Sequence, residues 1–102
     1  MNSFDIVYSL EAVADIDSLT NVILFQYRAP LTAKNYIQGL ADEVKSLSQS
    51  ADSYKIESRK SLQQYGPYPR RINYKQMAII YNLINDVVYI RRVVPANTIK
   101  DL

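Results

Sequence analysis

The strongest constraint on the fold lies in the last third of the chain. From Arg70 the sequence reads RRINYKQMAIIYNLINDVVYIRRVV, a basic pair followed by two apolar runs that meet at Asn85-Asp86. Ile, Val and Tyr favour a pleated, half-buried backbone, and Asn-Asp tolerates a tight reversal. The segment predicts a β-hairpin carrying arginines at both ends: Arg70 and Arg71 at its entry, Arg91 and Arg92 at its exit. Strands are expected at about Arg70–Tyr74, Met77–Leu83 and Val87–Val94.

The first half has a different period. Phe4 to Tyr8 is a short strand candidate, and Ser9 is placed to cap the helix that follows, its hydroxyl accepting from a first-turn amide. Glu11, Asp15 and Asp17 sit near the positive end of that helix. Val13, Ile16, Thr20, Ile23 and Tyr27 give it an apolar face, and Pro30 closes it at about Arg28. Thr32 is placed to cap a second helix, whose Ala33, Ile37, Leu40, Val44 and Leu47 alternate steps of four and three. The short link makes the helices antiparallel. Residues 48–69 lack a period, although a helical turn around Asp52–Gln64 fits, and YGPYP marks a turn before the arginines. The expected fold is α+β: an N-terminal strand, then an antiparallel helical hairpin packed on an antiparallel sheet of about four strands. At 102 residues the chain is expected to be a single domain spanning 1–102.

Composition removes much chemistry. With no cysteine and no histidine, the usual zinc ligands and the Cys/His and Ser/His nucleophile arrangements are absent, and no metal or cofactor is expected. The first ten residues lack the features of a secretion signal, and the uncharged run Ser18–Tyr27 is too short to span a bilayer. A soluble, cytoplasmic protein without membrane contact is expected. Net charge is only +2, but eight of the twelve basic residues fall between Lys55 and Arg92. A local basic surface attracts phosphates or acidic protein segments.

The order of these parts resembles the RelE/ParE toxin superfamily of type II toxin–antitoxin pairs. The resemblance runs from YSLEAVADIDSL (Tyr8–Leu19), through TAKNYIQGLADEVKSL, to the final RRINYKQMAIIYNLINDVVYIRRV meander with Tyr81 late in its penultimate strand. It implies a small toxin neutralised by a cognate antitoxin. One branch of the superfamily cleaves ribosome-bound mRNA, whereas another inhibits DNA gyrase. A non-toxic binding module derived from the same fold is the alternative, and a homodimer is an expectation when no antitoxin is present.

Cleavage of RNA requires activation of the 2′-hydroxyl, stabilisation of the phosphate charge and protonation of the leaving oxygen. Without histidine these roles would fall to Arg71, Lys75 and Arg92, with Arg71 at the branch's lysine position. Ala78 stands where that branch has an arginine, and Pro95, Ala96 and Asn97 stand where it has further basic residues and a tyrosine. Those departures make a non-enzymatic inhibitor the rival. Lys55, Arg59, Arg70, Arg91 and Tyr74 are the candidates for nucleic-acid or partner binding, since aromatics beside positive charge can stack bases. The plainer reading of each arginine is a salt bridge to an acid such as Asp15, Asp17 or Asp42. Tyr81 is expected to face the core.

Overall fold

In the computed structural model, which describes residues 3–99, strand β1 (Asp5–Tyr8) leads into helix α1 (Leu10–Asn21). Ser9 caps that helix as its sequence predicts. Its hydroxyl accepts from the Ala12 amide at 3.0 Å, from an extended backbone with φ −69°. Ala12, Ile16 and Leu19 turn inward, so the apolar face is rotated from the expected one; Val13 and Tyr27 are 43% and 67% exposed. After Asn21 the chain widens into a π-helical turn over Val22–Gln26. Arg28, in the left-handed region at φ 50°, ends the run.

Helix α2 spans Pro30–Ser50 and begins before the expected Thr32 cap. Proline fits the first helical position because its φ is preset and the amide it lacks would have been unpaired there. Ala29 is the N-cap and makes no side-chain cap bond. Ala33, Leu40, Val44 and Leu47 are buried along α2, on the predicted seam.

The meander follows as β2 (Arg70–Tyr74), β3 (Met77–Ile84) and β4 (Val87–Pro95), close to the expected limits. Asn85 and Asp86, with φ of 51° and 66°, make the two-residue reversal between β3 and β4. The sheet order is β1-β4-β3-β2. The three meander strands are antiparallel, but β1 joins β4 in parallel, so the sheet is mixed rather than wholly antiparallel. A parallel pair requires a long crossover, and the helical hairpin with the following segment and meander provides the intervening chain.

Every residue from Met77 to Asn82 is buried. Side chains alternate across a strand, so both faces of β3 must be covered. On one side Ile79 and Tyr81 join Val88, Ile90 and Val93 of β4 against Ala12, Leu40, Val44 and Leu47 of the helices. The Tyr81 hydroxyl donates to the Ala51 carbonyl at 2.7 Å, so this tyrosine is core-facing as expected. On the other side lie Ala78, Ile80 and Asn82, and the segment 54–69 crosses there as a strap. Short 3-10 turns occupy 51–53 and 60–65, within the region where a helical turn was expected. Leu62 and Pro69 are buried within the strap. The Asn82 side-chain amide donates to the Pro67 carbonyl at 2.8 Å, fixing the strap to β3. The side of the sheet away from the helices is therefore partly roofed and is not an open basic floor.

Candidate functional site

The site is shaped by an irregularity in β4. Ile80 pairs with Arg92, and the next residue of β3, Tyr81, pairs with Ile90; Arg91 is therefore an extra residue, a β-bulge. Buried Val88 and Ile90 are followed not by residue 92 but by Val93. Regular alternation would send Arg91 and Arg92 to opposite faces. The bulge instead leaves both on the side away from the helical core. They line a cleft of about 390 Å³ with Glu11, Gln64, Tyr65 and Gly66.

Each arginine has a fixed partner. The Arg92 guanidinium donates to both oxygens of Asp15, at 2.7 and 3.0 Å. That hydrogen bond raises the Arg92 pKa, so the group stays charged. Asp15 also accepts the Val93 amide at 2.9 Å, and the Ser9 hydroxyl donates to the Arg91 carbonyl at 2.9 Å. Helix α1 thus seals the edge of β4 beyond the end of β1. Arg91 donates through Nε to Asn82 Oδ1 and lies over the Tyr89 ring, 5.5 Å from its centroid. Asn82 is fully buried and joins Arg91 to the strap through Pro67. Gly66 makes this junction possible: its φ is 100°, and a side-chain carbon there would meet Asn82 Oδ1 at 3.1 Å.

Arg71 pairs with Ile80, which pairs with Arg92. Arg71 and Arg92 therefore flank one residue of β3, roughly 10 Å apart across two strand spacings. Together with Arg91 they form the group that the sheet register brings together.

The remaining sequence candidates lie elsewhere. Arg70 points into the fold, donating to the carbonyls of Tyr54 at 2.7 Å and Ala51 at 3.4 Å, beside the Tyr81 hydroxyl. It ties the end of α2 to the sheet. Lys75 occupies the β2–β3 turn at φ 54°, with its ammonium 5.5 Å from the Tyr36 ring and 5.7 Å from the Tyr74 ring. Tyr74 donates its hydroxyl to the Tyr36 carbonyl at 2.9 Å, which makes it a helix-to-sheet brace. Lys55 is exposed on the strap, and Arg59 lies 3.7 Å from the Glu57 carboxylate. Of the three residues expected to share a catalytic role, the register draws Arg71 and Arg92 together and leaves Lys75 in the turn.

Asp15 was visible in the sequence only as one of several acids available for a salt bridge. Asn82, which fixes Arg91, was not singled out: an amide inside an apolar run was its only signal.

No protein-family model matches the chain, and no curated protein matches it. Among solved structures, it is similar to a chain of the chromosomal ParDE TA system from P. aeruginosa. The TM-score is 0.71 at 18% identity, and the match covers 91% of this chain and 96% of that one. The protein therefore shares the fold of that ParDE-system chain. Among the described residues, no helix is long and apolar enough to cross a membrane.

Proposed function

We propose that this chain is the toxin component of a type II toxin–antitoxin module, neutralised by a cognate antitoxin and inhibiting growth when free. The observation that carries this reading is the likeness to a chain of a ParDE system across nearly the whole length of both chains. The free toxin acts by binding a target, and the face it uses carries Arg71, Arg91 and Arg92. DNA topology, with a gyrase-type target, is favoured over cleavage of ribosome-bound mRNA.

Three features favour binding over catalysis. Arg92 is held by Asp15 and Arg91 by Asn82, which leaves neither as a freely placed proton donor. Lys75 is committed to two tyrosine rings in the turn. Ala78, at the position where the RNA-cleaving branch carries an arginine, is fully buried and apolar. Charged groups held rigidly by neighbours suit recognition, in which a fixed pattern of charge meets a complementary surface.

The test is a brief induced pulse of the chain in cells, following DNA synthesis and protein synthesis separately. The binding reading expects DNA synthesis to fall first, and it expects Arg71→Ala to abolish growth arrest while antitoxin binding persists. A prompt fall in amino-acid incorporation would instead assign the arginines to mRNA cleavage. A pulse with no effect on growth would identify a non-toxic binding module built on the same fold.

A further inference from the structure

The cleft at the β4 bulge holds two kinds of unspent polar group. Asp15 engages Nε and Nη2 of Arg92, and Asn82 engages Nε of Arg91. Each guanidinium is thus fixed in place, yet each keeps some of the five N–H donors of its planar fork. Glu11 lines the same cleft. The Ser9 hydroxyl donates to the Arg91 carbonyl at 2.9 Å, which holds the first turn of α1, and so Glu11, beside the bulge. After the larger effect of the Asp15 hydrogen bond, Glu11 also helps to raise the Arg92 pKa, so the two side chains are neighbours. Among the described residues, however, no hydrogen bond or ion pair engages the Glu11 carboxylate; Asp15 has already taken Arg92.

A ligand for this cleft must satisfy a free carboxylate and two guanidinium forks at once. A simple polyanion would suit the arginines but would be repelled by Glu11, and a cation would meet the reverse. A guanine nucleotide offers both kinds of group. Its N1–H and N2–H2 are adjacent donors that suit the two oxygens of a carboxylate, whereas O6 and N7 are acceptors that suit an arginine fork. Adenine places an acceptor at N1, and each pyrimidine base offers one donor group on that edge rather than two. The 5′-phosphate supplies an anion for the second arginine. Tyr65, half-buried in the wall, brings an aromatic ring of the kind on which bases stack. The cleft volume of about 390 Å³ lies within the range of small-ligand pockets, about 300 to 1,000 Å³.

We propose that this cleft binds a guanine nucleotide. Glu11 reads N1–H and N2–H2, Arg92 reads O6 and N7, and Arg91 takes the phosphate. The nucleotide is either free or one unit of a single strand, since both present the same groups. The site shares Arg91 and Arg92 with the proposed target face, but it goes beyond the toxin reading and does not depend on growth arrest.

Calorimetric titration of the full-length chain with GMP, AMP, guanosine and inorganic phosphate tests it, with circular dichroism confirming that each variant is folded. GMP binds about tenfold more tightly than AMP, the scale of one bidentate pair, and more tightly than phosphate. Glu11→Gln removes that preference for guanine. Arg91→Gln removes the advantage of GMP over guanosine. A thymine strand carrying one guanine, set against the all-thymine strand, identifies the source. A guanine-dependent gain in binding beyond that of GMP assigns the site to a single strand, and no such gain assigns it to the free nucleotide. The proposal is overturned if GMP does not bind, if AMP or phosphate alone matches it, or if Glu11→Gln leaves the preference intact. A chain that fails these titrations and still arrests growth overturns the guanine site alone and leaves the toxin reading intact.

Discussion

Asp15 holds Arg92 through both carboxylate oxygens while also accepting the Val93 amide. One acid on α1 thus satisfies a guanidinium and an exposed strand edge together. Asp15→Ala removes all three bonds and leaves an edge amide without its protein partner. The expected cost is about 2 kcal/mol, the scale for hydrogen bonds to charged groups with partial solvent access. Denaturant unfolding measures it. Asp15→Asn retains an acceptor for one donor and should fall between Ala and wild type; equal stability of Asp15→Ala and wild type would reduce the contact to a surface pair.

Tyr81 predicts an alkaline limit to stability. Burial raises its pKa far above the ordinary value, so the folded state keeps the proton that the unfolded state releases near pH 10. The unfolded chain then binds fewer protons, and stability falls as pH rises above that point, by about 1.4 kcal/mol per pH unit for each such tyrosine. Tyr8 and Tyr36, whose values are also raised by burial, add in the same direction. Below pH 10 this contribution is fully present. Tyr81→Phe should shallow the alkaline slope while lowering stability near neutrality by about 1 kcal/mol, through loss of the bond to Ala51. Unfolding at a series of pH values separates the two effects.

Gly39 is required by a neighbour rather than by its backbone. A side-chain carbon there would stand 3.0 Å from Cζ and 3.2 Å from Cε1 of Tyr74. Alanine gains about 1 kcal/mol of helix propensity, but it displaces the ring and breaks the hydrogen bond from Tyr74 to Tyr36. Gly39→Ala should therefore lower the melting temperature. Adding Tyr74→Phe, which removes the hydroxyl nearest the new methyl, should recover part of the loss.

Arg28 adopts a left-handed conformation at the exit from the π turn. Glycine avoids the steric cost of a Cβ in that region, whereas alanine retains it. Arg28→Gly should exceed Arg28→Ala in stability by about 1 kcal/mol. The comparison removes the arginine charge from both sides, so thermal unfolding of the pair isolates the backbone strain.

Local rules made much of the fold legible in the sequence. The three meander strands, the Asn85-Asp86 reversal, the Ser9 cap and the buried seam of α2 each follow from residue type and spacing. The parallel pairing of β1 was less visible, because pairing partners depend on how the whole chain returns. The start of α2 was misplaced because Pro30 can end one helix or begin another, and the local text contains both signals. The site was harder still. Arginines at 70, 71, 91 and 92 look equivalent in the sequence, yet Arg70 braces the fold while Arg71, Arg91 and Arg92 share a side. That difference arises from one extra residue in β4 and from the strap over β3, neither of which has a local signature.

The bulge at Arg91 also acts as a phase shifter for the end of the chain. Before it, even-numbered residues of β4 point into the core; after it, odd-numbered Val93 does. Deleting Arg91 would set Ile90 and Arg92 in succession opposite Tyr81 and Ile80, giving a regular strand that keeps Ile90 and Val93 inward and removes one arginine from the cleft. Relatives of this chain that lack the extra residue must therefore have the opposite hydrophobic parity in their last few strand positions. An alignment that slides across the bulge without a gap would match core residues of one protein to surface residues of another.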